Sequence, residues 1–574
     1  CVSWLQQFKQ YYHSKQCYER TLALVLALLM LACTFTGALA EETREDYEIT
    51  YMIPGVKDSS SLDNPIGQII YDKFGIIINL VGYAGDWEER CAMWLAGNDY
   101  PDMVQLQGNT MVKKYIEAGA VLNLSELAEK CNAQNFLTFH AQSIPYWKLA
   151  TGTDDLYKYE ANCPDMEVAE GPMFDMLVRS DILEEQGWPE LLTDDDYIAV
   201  LKKAMEDHPT TENGDPTIGI TFAGAEDWML TTILMLDRGG YTECNSGLSV
   251  FWNNQKDVFE DKFSNIYFKE GLKFLNRMYQ EGILDEEIFT TDSATVTEQL
   301  QSGTALSTWY VTWEQGGANQ ALREAGKENM EYVIMPNTTK LQLDNGEKRC
   351  IRILDTYDWQ SVVITKNAKY PERIMELLDW ASTEEGQVLL GWGIEGVHYT
   401  IDENGLRQVT PESIACMQGT GDEHFNDGVG YYYFLGLSSD YDENKQVYNR
   451  VMDGSVYELT VSDRTKEVYS HYGWEKATDP WQNNDKFDFE YVHTGLAGTV
   501  ALNPTSDESA LDTKLSEYIY KHMAQLILAE SDEEFESMYD EFLAEYQSFG
   551  PQTVVDAYNA VYDGIKADFA EASK

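Results

Sequence analysis

The sequence predicts a mixed α/β protein built from two lobes. A chain of 574 residues is too long for one ordinary hydrophobic core, so more than one folded part is expected. Strand-like and helix-like segments alternate near the N-terminus, which favours a parallel sheet covered by helices. Strand patterns return after a helical middle region, so we expect the chain to cross between the lobes more than once.

The first lobe begins with two segments typical of strands. "YEITYMIP" at 47–54 alternates apolar and polar residues, and "IIINLVGY" at 76–83 is a continuous apolar run of the buried-strand type. The segment between them has helical spacing. A helix that Gly97 ends, a short strand at 102–106 and a helix capped by Ser125 follow.

The middle of the chain is mainly helical. One helix ends at Gly187, the next is capped by Thr193 and ends near Pro209, and Gly282 closes a third. Residues 1–40 are predicted to be a signal peptide or N-terminal anchor, and 41–170 the first part of lobe 1. Residues 171–355 are assigned mainly to lobe 2, and 356–574 to the remaining segments of both lobes with a helical C-terminal region.

The N-terminal segment resembles an export signal. The uncharged stretch "TLALVLALLMLACTFTGALA" at 21–40 follows charged residues, and its apolar part is short for a membrane span. Cleavage after Ala40, lipidation at Cys33 or an uncleaved anchor would each place the rest of the chain outside the cytoplasm. We favour cleavage after Ala40, and expect any membrane anchoring to involve the N-terminus only.

The charge balance limits the partners. Against 41 Lys and Arg stand 97 Asp and Glu, a formal net charge of −56, which repels nucleic acid and anionic lipid. The six cysteines after the leader are widely scattered, and their pairing cannot be read from the sequence. No motif for zinc, phosphate binding or a serine nucleophile is present, so we expect no metal, no cofactor and no catalytic residues.

Several segments together resemble a known family. They are similar to the extracellular solute-binding proteins of carbohydrate ABC importers, in the large lipoprotein-like subgroup. The segments, in the family's order, are "LAGNDYPDMVQL", "LVRSDILEEQGWPELLTDDDYIAVLKKAMEDHP", "YQEGILDEEIF", "VITKNAKYPERIMELLDWASTEEGQVLLGWGIEGVHYTIDENG" and "ILAESDEEFESMYDEFLAEYQSFG". The resemblance implies a type II periplasmic-binding-protein-like fold, in which two α/β lobes are joined by a hinge and separated by a cleft. It also implies closure of the lobes over a ligand and delivery to the permease subunits of an ABC importer.

Sugar capture requires aromatic rings for the sugar faces and polar groups for the hydroxyls. Aromatic residues follow or precede strand-like segments, in several cases beside an acid, and such strand ends are where α/β lobes bind ligands. Each Trp could instead be a core residue. The predicted ligand-binding residues are Asp86, Trp87, Asp227, Trp228, Trp309, Tyr310, Trp313, Tyr357, Trp359 and Trp392.

Two other functions stay open. A secreted glycoside hydrolase needs a pair of carboxylates at a defined separation, and an acidic chain always offers candidates. A binding protein for a peptide or another solute is the second alternative. The main prediction is a monomeric protein that binds an oligosaccharide.

One departure from some relatives concerns calcium. Those relatives carry an acidic loop whose oxygen ligands are spaced to bind calcium. This chain has "DHPTTENGDPTIGI" at that position. Asp207, Asn213 and Asp215 are present, but the oxygen-ligand spacing is broken, so a solvated turn is expected.

Overall fold

The computed structural model describes residues 45–572, apart from gaps at 55–56, 84–86, 107, 164–174, 227–248, 255, 285, 310–311, 356–359 and 494. The predicted signal peptide, including Cys33, lies outside the described residues. One compact unit spans Glu48–Lys574.

The described strands are short and are distributed between residues 47 and 493. They are β1 Tyr47–Pro54, β2 Ser59–Ser60, β3 Ile76–Tyr83, β4 Met103–Leu106, β5 Tyr159–Glu160, β6 Asn162–Cys163, β7 Met176–Arg179, β8 Ile218–Thr221, β9 Val250–Asn253, β10 Val258–Asp261, β11 Ala305–Trp309, β12 Tyr332–Met335, β13 Arg349–Asp355, β14 Ser361–Ile364, β15 Tyr399–Ile401, β16 Arg407–Val409, β17 Leu437–Ser438 and β18 Phe487–His493.

Helices connect these strands and dominate the C-terminal part. Those before β13 are Pro65–Phe74, Trp87–Gly97, Asn109–Glu117, Leu124–Cys131, Gln134–Phe139, Ile144–Thr151, Ser180–Glu185, Asp194–Asp207, Ile266–Gln280, Ser293–Ser302, Thr312–Glu324 and Lys340–Asn345. Those after it are Pro371–Ala381, Glu384–Trp392, Pro411–Met417, Gly454–Thr460, Asp463–Tyr472, Asp479–Gln482, Asp507–Ile527, Asp532–Ser548 and Gln552–Ala572. Among the described residues, no helix is both long and apolar enough to span a membrane.

Lobe 1 is built on a six-stranded sheet with the order β2-β3-β1-β4-β14-β5. β1 and β4 are parallel, and β14 runs antiparallel to β4 with Ser361 opposite Leu106. The centre of the sheet is buried on both faces, since all four side chains of β4 are buried. The β1–β4 pair confirms the predicted parallel sheet in part, because the sheet is mixed: β2 is antiparallel to β3, and β14, which returns from much later in the chain, is antiparallel to β4 and β5.

Lobe 2 is built on a four-stranded sheet with the order β12-β7-β11-β8. β8 and β11 are parallel, while β7 runs antiparallel to both β11 and β12. The long C-terminal helices pack onto this lobe, since Leu515, Phe542 and Val554 belong to the same buried cluster as Leu177 and Leu306.

β13 and β18 connect the two lobes. They pair in parallel along their whole length, from Arg349 opposite Phe487 to Asp355 opposite His493. β13 leaves lobe 2 after β12 and leads, within six residues of its end, into β14 of lobe 1. Two α/β parts with paired crossing strands confirm the predicted fold class.

Candidate functional site

The candidate site is defined by the strand ends of the two sheets that lie next to the start of β13 or follow it in the chain. In lobe 1, the carboxyl ends of β1 and β4 share an edge with the amino end of β14; we call it the lobe 1 edge, marked by Leu106 and Ser361. In lobe 2, the carboxyl ends of β8, β11 and β12 share an edge with the amino end of β7. This lobe 2 edge is marked by Met176 and Trp309. Open α/β sheets bind ligands at such carboxyl ends.

A buried ion pair joins the lobe 2 edge to the start of β13. Asp175 precedes β7 and is fully buried, and its Oδ2 lies 3.0 Å from Nη1 of Arg349, the first residue of β13. The Trp481 indole also donates to Oδ2, at 2.8 Å. Burial raises the pKa of Asp175, and the Arg349 guanidinium opposes this by favouring the carboxylate. The crossing strand is therefore fixed to lobe 2 through charge-assisted hydrogen bonds.

A second buried cluster lies at the lobe 1 edge. Lys158 and Glu160 are two residues apart at β5, so their side chains lie on the same face of the strand. Lys158 Nζ donates to Asn109 Oδ1 at 2.9 Å, to Glu160 Oε1 at 2.8 Å and to Ser361 Oγ at 2.9 Å. Glu160 Oε2 accepts the backbone N–H of Gln360 at 2.8 Å. One cluster thus ties together the chain after β4, β5 and the start of β14.

Two of the predicted aromatic residues do lie at strand ends. Trp87 opens the helix that follows β3, and Trp309 is the last residue of β11, at the lobe 2 edge. Both rings are covered in this conformation: Trp87 is 7% exposed and donates its indole N–H to the carbonyl of Gln105 at 3.0 Å, and Trp309 is fully buried. Their rings support the site from within the lobes in the conformation described.

Trp392 is placed differently from Trp87 and Trp309. It ends the helix Glu384–Trp392, is fully buried, and donates its indole N–H to the carbonyl of Val447 at 2.8 Å. The Arg407 guanidinium lies 4.9 Å from its ring centre, and Tyr399 packs edge-on against it. In this conformation the ring serves a small core outside both main sheets, around the β15–β16 hairpin.

The other predicted site residues lie in parts of the chain on which the structure gives no side-chain position. Trp313 falls in the helix Thr312–Glu324 without a described side chain. Outside the described residues lie Asp86, Asp227, Trp228, Tyr310, Tyr357 and Trp359. Their role in ligand binding stays a prediction.

The buried ion pairs are what the sequence reasoning missed. The alternation in "YKYE", Tyr157 to Glu160, places two charged residues on one face of a strand and two tyrosines on the other, and this signal could have found the Lys158–Glu160 pair. Asp175 and Arg349 are far apart in sequence and give no such signal.

The loop considered for calcium closes on itself through its backbone. Thr211 N–H donates to the carbonyl of Asp215 at 2.8 Å, and Thr217 N–H donates to that of Pro209 at 3.2 Å. The Asp207 carboxylate pairs with Lys203. In the described part of the chain, no group of three or more His, Cys, Asp or Glu side chains is arranged to hold a metal ion.

Comparison with known proteins identifies relatives among bacterial solute-binding proteins. The model of the family described as "Bacterial extracellular solute-binding protein" matches residues 58–388. The fructooligosaccharide ABC transporter substrate-binding protein FusA of Streptococcus pneumoniae is 21% identical over 344 residues, which cover 56% of this chain and 58% of FusA. Lipoprotein LipO of Bacillus subtilis is 23% identical over 239 residues, 40% of this chain and 44% of LipO. The chain thus spans about half the length of these two relatives.

Solved structures share the fold along most of the chain. The alginate-binding protein AlgQ2 superimposes with a TM-score of 0.59 at 16% identity, covering 91% of this chain and 99% of that one. The S. pneumoniae FusA structure in complex with fructo-nystose also gives a TM-score of 0.59, at 15% identity, covering 91% of this chain and 100% of that one. At these identities the likeness establishes the common fold.

Proposed function

Because this chain belongs to the family of bacterial extracellular solute-binding proteins, we propose that it captures oligosaccharides outside the cell for an ABC importer. The observation that carries the proposal is how the two edges relate to β13: Arg349 at its start pairs with Asp175 beside the lobe 2 edge, and its end is followed within six residues by β14 at the lobe 1 edge. A ligand held between these edges contacts both lobes, so it stabilises the arrangement in which they approach.

The proposed ligand contacts come from the aromatic and acidic residues that adjoin strand ends. Trp359 and Tyr357 lie between β13 and β14, and Trp228 follows β8. Indole and phenol rings cover the C–H faces of sugars, while neighbouring carboxylates accept hydrogen bonds from hydroxyls. Replacing Trp228 or Trp359 with Ala should weaken affinity by about 1–3 kcal/mol each if the rings stack on the ligand.

We propose a neutral oligosaccharide rather than an anionic one. The formal net charge of −56 repels a polyanion at a distance. At the two edges, the buried cations Lys158 and Arg349 each face a carboxylate, Glu160 and Asp175, which satisfies their charge within the protein. FusA carries the name of a fructooligosaccharide-binding protein and AlgQ2 that of an alginate-binding protein, so the two ligand types provide a direct contrast.

Delivery to permease subunits, anchoring through the N-terminal segment and a monomeric state complete the proposal. The bound protein presents two lobes held together by ligand, a surface that the unbound form lacks. Lipidation at Cys33 or cleavage after Ala40 would decide between a surface-anchored and a freely secreted protein.

The alternative of a glycoside hydrolase requires an acidic group with a raised pKa near the ligand. Burial raises the pKa of Asp261 to about 6 and also raises those of Asp512 and Asp175. Asp175 lies at the lobe 2 edge, but its carboxylate is fully buried and is already bound to Arg349 and to the Trp481 indole. The other two carboxyls serve the packing of lobe 2 instead: Asp261 ends β10 and accepts the Phe263 N–H at 2.8 Å, and Asp512 accepts the hydroxyl proton of Tyr558 at 2.9 Å. We therefore propose binding without catalysis.

Isothermal titration of the purified chain tests the proposal. The panel is kestose, nystose, alginate oligosaccharides and a short peptide, with product analysis by chromatography after prolonged incubation. We expect heat of binding with at least one neutral oligosaccharide and none with alginate. Hydrolysis of a glycan, or binding of the peptide alone, would contradict the proposed function.

A further inference from the structure

The cluster around Lys158 sits where the chain segments of the lobe 1 edge converge. Asn109 is the first residue of the helix that follows β4, and Ser361 is the first residue of β14. Lys158 Nζ contacts both, and Ser361 Oγ donates in turn to Glu160 Oε1 at 3.0 Å. Three segments that are distant in sequence are thereby held in one register.

The two charged side chains cannot themselves contact a ligand. The Lys158 side chain is 0% exposed and that of Glu160 is 3% exposed. Glu160 Oε2 accepts the backbone N–H of Gln360, which directly precedes β14 at the lobe 1 edge. This bond fixes the backbone at the amino end of β14, where Ser361 lies opposite Leu106 of β4.

Stability alone does not account for burying these charges. Removing two ions from water costs several kcal/mol each, and apolar residues of similar size often replace a buried ion pair without loss of stability. The pair instead fixes the orientation of the segments that it joins, because each hydrogen bond to a charged group is short and has a defined geometry. The cluster therefore orients the lobe 1 edge more strictly than apolar packing would.

We propose that Lys158 and Glu160 form a positioning pair for ligand binding: oligosaccharide affinity depends on them although neither touches the ligand. This inference rests on the proposed function. A merely structural ion pair would change folding stability and ligand affinity together. Removal of a positioning pair lowers ligand affinity while the protein stays folded.

The test replaces both charges at once, with Lys158→Met and Glu160→Leu in the full chain. The melting temperature is expected to stay within a few degrees of wild type, because no lone charge remains buried. The dissociation constant for kestose, or for the neutral oligosaccharide of the panel that wild type binds most tightly, should rise at least tenfold in calorimetry.

A matched control is the buried pair Arg179–Asp181. Its side chains are 10% and 13% exposed with Nη2 and Oδ2 2.5 Å apart, and it lies at the carboxyl end of β7, the end of the lobe 2 sheet away from Trp309. The double variant Arg179→Met with Asp181→Leu should bind the same ligand within twofold of wild type. An equal loss of affinity in this control would overturn the inference.

The milder variant Ser361→Ala keeps both charges and removes one hydroxyl from the cluster. It should weaken binding at least threefold with little change in melting temperature, and it decides the question if the double variant does not fold. If the folded Lys158 and Glu160 double variant, or Ser361→Ala, binds with wild-type affinity, this inference is overturned while the proposed function stands. A wild-type chain that binds no oligosaccharide overturns the inference together with the proposed function.

Discussion

Replacing Asp261 with Asn should stabilise this protein at neutral pH and leave it unchanged in acid. Asp261 is the last residue of β10, where burial raises the pKa of its carboxyl from the ordinary 3.8 to about 6, although the Phe263 N–H favours the ionised form. The folded state therefore prefers the protonated acid. Stability from this group is fully present below pH 3.8 and is lost as the pH rises through 6.

The magnitude follows from the two pKa values. Each pH unit between them is worth about 1.4 kcal/mol, so wild type loses up to about 3 kcal/mol of stability between pH 4 and pH 7 through this one group. Asn does not titrate, and its amide oxygen can still accept the Phe263 N–H, which lies 2.8 Å from Asp261 Oδ1. The variant should thus exceed wild type by about 2–3 kcal/mol at pH 7.5 and match it near pH 3.5.

Scanning calorimetry of both proteins at several pH values provides the assay, since the difference between them cancels the other titrating groups. Asp292→Asn is the control of opposite sign. Asp292 caps the helix Ser293–Ser302, and its bond from the Thr295 N–H lowers the pKa of its carboxyl, so that variant should lose stability at neutral pH. A constant difference between Asp261→Asn and wild type from pH 4 to 7.5, or a less stable variant at pH 7.5, would refute the reasoning.

Three further predictions concern local structure. Gly67→Ala should destabilise the protein by more than about 2 kcal/mol in calorimetry, because a Cβ there would overlap a neighbouring backbone oxygen. Gly97→Ala should be near neutral, since a Cβ at that position meets nothing within 4 Å. Similar effects at both sites would contradict this explanation. Asn123→Ala should cost about 1 kcal/mol through loss of a helix cap, whereas equal stability of variant and wild type would argue against capping. Burial lowers the pKa of His140 from 6.5 to about 3, so the folded state loses stability as the pH falls below 6.5. In His140→Gln the melting temperature should fall less steeply with decreasing pH than in wild type. An unchanged pH dependence of the melting temperature would contradict this prediction.

Local patterns in the sequence predict local structure well. The alternating run at 47–54 and the apolar run at 76–83 both become strands, β1 and β3. The cap at Thr193 is confirmed, and Asp196 Oδ2 accepts the Thr193 N–H in return. The cap predicted at Ser125 is wrong: Asn123 accepts the N–H groups of Ser125 and Glu126, because an Asn side chain at that position reaches both donors.

The sequence could not predict contacts between distant parts of the chain. β13 and β18 pair although more than a hundred residues separate them, and neither segment marks its partner. The aromatic residues show the same limit. Trp309 was expected at a strand end and lies there, but its ring is buried. Whether such a ring faces a ligand or the core depends on what packs around it. Hydrophobic residues at strand ends suit both roles.

Small-angle X-ray scattering with and without a saturating neutral oligosaccharide tests most directly whether capture takes place between the lobes. If the ligand bridges the edges at the two ends of β13, the radius of gyration should fall on ligand addition, and Trp359→Ala should need more ligand for the same change. A ligand that binds tightly while the scattering curve stays unchanged would contradict capture between the lobes.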